Sequence, residues 1–89
     1  MAAQVWKMSC GLLSGAFSGE IVFEVKTIAG ELYQGISPKH YAEPDDIPSR
    51  EEAVPGTIRV RVLKNGGGSA LVRTPDGEAI TVPANLVHA

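Results

Sequence analysis

Three arginines are the residues whose type and spacing point most directly to chemistry. Arg59 and Arg61 are two positions apart in the run Ile-Arg-Val-Arg-Val, which places both on one face of a β-strand. Arg73 follows a Gly-rich turn, so a hairpin would bring it to the neighbouring strand. Because guanidinium groups bind phosphate and carboxylate oxygens through paired hydrogen bonds, this set predicts an anion-binding patch. The alternative is a solvated face on which the arginines pair with Glu20, Glu24 or Glu78.

Two further side chains are candidates for the same site. Tyr33 and His40 could line it with the arginines, and we expect such a site to form between two subunits. His40 lies near several acidic residues, but the spacing matches no metal-binding motif. We therefore expect no metal, no cofactor and no catalytic residues, and the sequence favours a non-enzymatic role.

Two other segments contain residue types that catalysis and phosphate binding use. The glycines at 66–68 precede a predicted strand, and no Lys-Ser or Lys-Thr pair follows them, so they predict a hairpin turn rather than a phosphate loop. Cys10 is the single cysteine, and a nucleophilic role would need a nearby base. We expect a buried or incidental thiol.

The composition of the chain argues against several classes of protein. The 89 residues carry eight basic and ten acidic side chains, a net charge of −2, which argues against nonspecific nucleic-acid binding. Binding of RNA or single-stranded DNA through the arginine strand and Tyr33 or Tyr41 is kept as an alternative. No apolar run is long enough for a membrane-spanning helix, and a single cysteine excludes an internal disulfide, so we expect a cytoplasmic protein.

The predicted elements are short strands joined by turns. Alternating apolar residues predict strands over 20–28, 31–36, 57–64, 69–74 and 78–82, with no internal repeat evident. Four prolines predict a long loop over 37–56, and glycines weaken any helix over 1–19. We expect one domain over 20–89 and an N-terminal apolar arm over 1–19. This arm would cap the domain or form an oligomer interface through its large apolar side chains, Val5, Trp6, Leu12, Leu13 and Phe17.

The end of the chain resembles the closing part of SH3-like barrels. In Ala79–Val87, Ala-Ile-Thr-Val-Pro-Ala-Asn-Leu-Val, a predicted strand is followed by one helical turn and a final strand. The resemblance implies an all-β fold, either an SH3-like small barrel or a compact β-sandwich of five to six antiparallel strands. The function expected is a binding or assembly module that self-associates. The alternatives are a protein that binds a small molecule or anion, possibly as an enzyme, and the nucleic-acid binder described above.

Overall fold

The structure is a computed structural model, and it describes residues 5–47 and 52–89. Its regular elements are short strands and two single turns of 3-10 helix, η1 (Lys39–Tyr41) and η2 (Ala84–Leu86). Within the described residues, no helix is long and apolar enough to cross a membrane. The strands are β1 (Trp6–Ser14), β2 (Glu20–Lys26), β3 (Leu32–Pro38), β4 (Ala42–Glu43), β5 (Val54–Gly66), β6 (Ser69–Arg73), β7 (Ala79–Pro83) and β8 (Val87–His88).

The strands form one curled antiparallel sheet that resembles half of a barrel. Six of them follow one another in the order β3-β2-β1-β5-β6-β7, while β4 pairs with β5 and β8 pairs with β1. The predicted all-β, small barrel-like fold is confirmed. The closing segment also forms a strand, a 3-10 turn and a short final strand, as its resemblance to SH3-like barrels implies.

Alternating apolar side chains build the core on the inner face of this sheet. Along β2, for example, Ile21, Phe23 and Val25 are buried and the residues between them are more exposed. This alternation is the pattern of a strand with one face in the core. The buried hydrophobic side chains come from both halves of the chain: Met8, Leu12, Ile21, Phe23, Val25, Ala42, Ile58, Ala70, Val72 and Val82.

The strand pairing of the first half of the chain recurs in the second half. β1 to β4 correspond to β5 to β8, and each half's last strand pairs with the first strand of the other half. Ala42 of β4 pairs with Ile58, just as Val87 of β8 pairs with Met8. Met8 and Ile58 are themselves partners in the β1–β5 pair. The fold therefore contains two copies of one four-strand unit, a repeat that we did not recognise in the sequence.

The hairpin turns of the two halves match in detail. The turns over 27–31 and 74–78 share the sequence Thr-X-X-Gly-Glu. In each, the threonine N–H donates to the glutamate carbonyl at 2.8 Å, and the glycine N–H donates to the threonine carbonyl at 2.9 Å. Gly30 and Gly77 have φ values of 85° and 91°. Because this left-handed conformation is strained for other residues, glycine is required at the same position in both turns.

The first hairpin is longer than the second, and this difference lets it reach across the sheet. β2 and β3 have 7 residues each, whereas β6 and β7 have 5 each. A difference of two residues preserves which side chains face inward, since strands alternate with period two. The longer hairpin reaches β7, where the Ile28 N–H donates to the Thr81 carbonyl at 2.9 Å.

The turn of the second hairpin packs on β3 through side chains. The Tyr33 hydroxyl donates to the Asp76 carboxylate, which also accepts from the Thr74 hydroxyl. A Cβ atom at Gly35 would lie 2.6 Å from Asp76 Oδ2 and 2.6 Å from Phe23 Cζ. Only glycine at this position therefore allows the turn to approach β3 so closely.

The N-terminal segment differs from the expected arm. Residues 6–14 form β1, which pairs with β5 on one side and with β2 and β8 on the other. Met8 and Leu12 are fully buried, so they belong to the core of the domain. The sequence concealed this strand because its glycines and its Leu12-Leu13 pair break the simple alternation of apolar and polar residues. The domain therefore begins within 1–19 rather than at residue 20.

The expected loop over 37–56 is also shorter in the structure. Its first residues complete β3, η1 and β4, and residues 54–56 begin β5. Pro55 is accommodated in β5 because β1 pairs with it on one side and the β4 pairing reaches only Thr57 on the other. A proline, which lacks an N–H, is tolerated where a strand has a free side. Residues 48–51 lie outside the described residues.

Candidate functional site

The structure brings the three predicted arginines together. Arg59 and Arg61 lie on one face of β5, and Arg73 of β6 is the direct register partner of Arg61. All three side chains are exposed. Val60 and Val62, between and beyond them on β5, are half-buried against the core. The hairpin predicted from the glycines at 66–68 produces this arrangement.

A gap in the sheet creates a groove beside these arginines. Along one side of β5, pairing with β4 ends at Ile58 and pairing with β6 begins at Arg61. In the described chain, Arg59 and Val60 therefore have no strand partner on that side. The groove has a volume of about 570 Å³ and is open to solvent. It is lined by Val5, Trp6, Tyr41, Arg59, Val60, Arg61, Val62, Arg73, Thr74 and Pro75.

Aromatic side chains hold one wall of the groove in place. The guanidinium carbon of Arg59 lies 5.5 Å from the centroid of the Tyr41 ring, a cation–π distance. His40 packs edge-on against Tyr41, with ring centroids 4.7 Å apart. His40 thus supports the wall of the groove without lining it. Tyr41 is positioned by η1, which leads into the β4 strand beside β5.

The opposite wall is formed by the end of β6 and the following turn. Arg73 Nη1 donates to the Gly77 carbonyl at 2.9 Å, which ties this guanidinium to the turn. Thr74 and Pro75 of the same turn complete the wall. The remaining N–H groups of Arg73 are donors that a ligand can use, since a guanidinium carries five.

None of the three arginines forms an ion pair with a residue in the described ranges 5–47 and 52–89. The ion pairs found there join Lys7 to Glu43 at 2.6 Å and Lys39 to Asp46 at 4.0 Å. The partners considered from the sequence, Glu20, Glu24 and Glu78, are not among them. Like charges directly opposite each other on neighbouring strands are destabilising, and Arg61 faces Arg73 in this way. A bound anion would relieve this repulsion.

One acidic residue, Glu43, lies near the groove, and it is held by Lys7. The Lys7 ammonium holds the pKa of the Glu43 carboxyl below its usual value through a hydrogen bond and its charge, and Arg59 adds to the effect. Glu43 is thereby kept ionised by Lys7, to which it is bonded. It does not form an ion pair with Arg59.

Tyr33 does not join the groove. Its hydroxyl is hydrogen-bonded to Asp76, and its ring packs against Phe23 with centroids 6.0 Å apart. Burial raises the pKa of Tyr33 to about 12, and the hydrogen bond and negative charge of Asp76 act in the same direction. Tyr33 thus stabilises the turn that carries Pro75, and this turn forms one wall of the groove. Tyr33 itself does not line the groove.

The predicted interface residues separate into different environments. Val5 and Trp6 line the groove, while Leu12 is fully buried and so cannot contribute to a subunit contact. Leu13 is half-buried, and Phe17 is 72% exposed in the loop between β1 and β2. That loop borders a smaller cavity of about 210 Å³, in which Lys39 already pairs with Asp46.

The described residues show no metal site and no reactive cysteine. In the described part of the chain, no three His, Cys, Asp or Glu side chains come close enough to hold a metal ion. Burial raises the pKa of Cys10 to about 12, so its thiol is protonated at neutral pH and is a poor nucleophile. The glycines at 66–68 form the β5–β6 turn, as predicted.

The repeat shows that the arginines are not required by the fold. With Met8 corresponding to Ile58, the equivalents of Arg59 and Arg61 are Ser9 and Gly11. Gly11 pairs with Glu24 at the position where Arg61 pairs with Arg73. The same strand arrangement therefore forms with small neutral residues and one acid.

Comparison with known protein families, with curated proteins and with solved structures finds no match for this chain.

Sequence reasoning missed part of the groove lining. The sequence predicts Tyr41 only as a base-stacking residue and indicates no role for Thr74 or Pro75. The repeated Thr-X-X-Gly-Glu sequence was the available signal, because it aligns 74–78 with 27–31 and marks both as hairpin turns. The gap along β5 had no local signal, since it depends on where two separate strands stop pairing.

Proposed function

We propose that this protein is a non-enzymatic binding module that takes an anionic ligand in the arginine groove. The ligand carries a phosphate or carboxylate group on an apolar or aromatic body. The observation that carries the proposal is the facing pair Arg61 and Arg73, with Arg59 two positions away, and no acidic partner for them among the described residues. The cytoplasmic location expected from the sequence is part of the same proposal.

The groove supports both parts of this ligand. The guanidinium groups offer charge-assisted hydrogen bonds to the anion. Val60, Val62 and Trp6 offer an apolar surface for the body that bears it. Ligand sites are commonly apolar clefts with a few convergent polar groups, and this groove has that composition. All of its lining residues come from one chain, so the proposal places the site within a single subunit rather than between two.

Nucleic acid is the less favoured ligand. The Tyr33 ring packs against Phe23 and its hydroxyl is hydrogen-bonded to Asp76, and Arg59 covers one face of Tyr41, so both rings are less open to base stacking than the sequence suggested. The net charge of −2 also opposes binding to a polyanion.

Calorimetric titration with phenyl phosphate tests the proposal. Arg61→Gln removes one positive charge from the groove, and Lys64→Gln removes one from the same strand outside the groove lining. A hydrogen bond to a charged group contributes about 1.5–3 kcal/mol, so we expect Arg61→Gln to weaken binding about tenfold or more. Lys64→Gln should change the affinity less than about twofold. Equal losses in both variants, or no binding by the natural chain, would contradict the proposal.

A further inference from the structure

The outer edge of β3 differs from the equivalent edge of β7 in one hydrogen bond. On the outer edge of β7, the Thr81 carbonyl accepts a hydrogen bond from the N–H of Ile28, which lies in the turn of the first hairpin. Counting back from the prolines that end the two strands, the equivalent residue on β3 is Ile36. The turn residue that corresponds to Ile28 is Pro75. Since proline has no N–H, the second turn cannot make the same bond to β3.

The backbone of β3 therefore offers unpaired groups along its outer side. The Thr27 N–H bonds to the Glu31 carbonyl at the start of the hairpin, and hydrogen-bonded and non-hydrogen-bonded pairs alternate from there. Leu32, Gln34 and Ile36 are then the residues whose N–H and C=O groups point away from β2. Within the described residues, the only backbone partner of this strand is β2.

The side chains at the centre of this edge carry no protection against pairing. Exposed edges are commonly blocked by lysine, proline or a bulge, but β3 contains no charged residue, and its one proline, Pro38, lies at the end of the strand. Leu32 and Ile36 are 62% and 53% exposed, and Gln34 lies between them. Ile36 continues an apolar row across the outer face of the sheet, because it pairs with Val22, which pairs with Leu13.

The edge is complementary to itself in the antiparallel direction. When Gln34 of one copy lies opposite Gln34 of another, Leu32 of each copy lies opposite Ile36 of the other, and all three positions direct backbone groups toward the partner. The charges agree with this register, since β3 is preceded by Glu31 and followed by Lys39. Antiparallel pairing places the acid of one copy near the base of the other, whereas parallel pairing places like charges side by side.

We propose that two copies of this chain associate through β3, which joins their sheets in an antiparallel β3–β3 pair. A second copy of this chain is the partner because one antiparallel register pairs the backbone hydrogen-bonding groups, the apolar side chains and the opposite charges of the two strands. A single pair of short strands is smaller than a standard stable interface, so we expect a dimer that dissociates in the micromolar range. This inference stands apart from the proposed ligand site, because none of its residues lines the arginine groove.

Sedimentation equilibrium over a range of protein concentrations tests this association. Ile36→Lys places a charge on the proposed contact and should leave a monomer. Leu63→Lys makes the same kind of change at another exposed apolar residue, 42% exposed on β5, and should leave the dimer intact. Circular dichroism and thermal unfolding establish that both variants are folded. A natural chain that stays monomeric into the millimolar range would overturn the proposal, as would equal dissociation of both variants.

A cysteine at the symmetry position tests the register. In Gln34→Cys the two new thiols face each other across the pair, close enough for a short bis-maleimide to join them. The cross-linker should give a covalent dimer, whereas Leu63→Cys under the same conditions should not. A dimer that forms without cross-linking of Gln34→Cys would show a different interface and overturn the β3–β3 pairing. Phenyl phosphate should bind Ile36→Lys as it binds the natural chain, so failure of either proposal is visible on its own.

Discussion

Met8 and Ile58 lie opposite each other where the two halves of the chain meet. Each is fully buried, and each also pairs with the last strand of the other half of the chain. Met8 pairs with Val87 of β8, and Ile58 pairs with Ala42 of β4. Neither four-strand unit therefore completes its core alone. The halves are held together by exchanged strands, and this framework fixes β5 and β6, on which the arginines stand.

The two units of the repeat differ where the groove lies. The longer first hairpin closes onto β7 by a backbone hydrogen bond, while the second hairpin uses Asp76 and Tyr33 to pack on β3. The arginines replace small or acidic residues of the other unit. The proposed ligand site therefore combines a gap in strand pairing that both units share with arginines that only one unit carries, and the free edge of β3 follows from a departure from the repeat.

The close contact at Gly35 predicts a loss of stability in Gly35→Ala. The added methyl group would meet Asp76 and Phe23 at 2.6 Å, and overpacking of this kind costs about 1–3 kcal/mol. Denaturant unfolding measures the effect. Gln34→Ala, at the next position and exposed, should change the free energy of unfolding by less than about 1 kcal/mol. If Gly35→Ala is as stable as the natural chain, the second hairpin does not pack on β3 as described.

The placement of β1 predicts different effects for two adjacent leucines. Leu12→Ala removes a fully buried side chain and should cost about 2–5 kcal/mol. Leu13→Ala removes a half-buried side chain on the outer face and should cost clearly less. Denaturant unfolding of both variants makes the comparison. Equal small losses would support the peripheral arm expected from the sequence and contradict a central β1.

The environment of Tyr33 predicts a late titration. The pKa of its hydroxyl is raised to about 12 in the folded protein, above the ordinary value of 10. The folded state therefore holds this proton more tightly than the unfolded state. The resulting stability is present below about pH 10 and is lost as the pH rises toward 12.

Absorbance of the tyrosinate in Tyr41→Phe measures this directly, since the chain has two tyrosines and Tyr33 alone then remains. Asp76→Asn removes the negative charge beside the hydroxyl and should lower its pKa. A midpoint near 10 in Tyr41→Phe, unchanged by the second substitution, would show that the hydroxyl does not contact Asp76.

The contact of Arg59 with Tyr41 predicts a role for the ring in binding. Tyr41→Leu removes the cation–π contact, worth about 0.5–1 kcal/mol at an exposed site, and frees the arginine to adopt other rotamers. We expect phenyl phosphate to bind about two- to fivefold more weakly by calorimetry. Tyr41→Phe keeps the ring and should bind as the natural chain does. Equal affinities of the leucine and phenylalanine variants would show that the Tyr41 ring does not contribute to binding.

Local patterns were enough to predict most strands of this fold. The alternation of Ile21, Phe23 and Val25 identified β2, and the glycines at 66–68 identified the hairpin that joins Arg61 to Arg73. β1 was not predicted because its stability comes from pairing on both sides rather than from its own sequence. The positions of Tyr33 and Tyr41 depend on contacts with residues more than ten positions away, Asp76 and Arg59, so no local pattern revealed which of them lines the groove.

An NMR titration of the ¹⁵N-labelled protein with phenyl phosphate tests most directly whether the arginine groove binds an anion. We expect saturable shifts concentrated in three places: the Trp6 indole N–H, the backbone of 59–62 and the turn at 73–75. The Arg61→Gln variant should lose most of this response, and Lys64→Gln should retain it. Shifts spread evenly over the surface lysines and arginines, or no saturable shift in the groove, would contradict the claim.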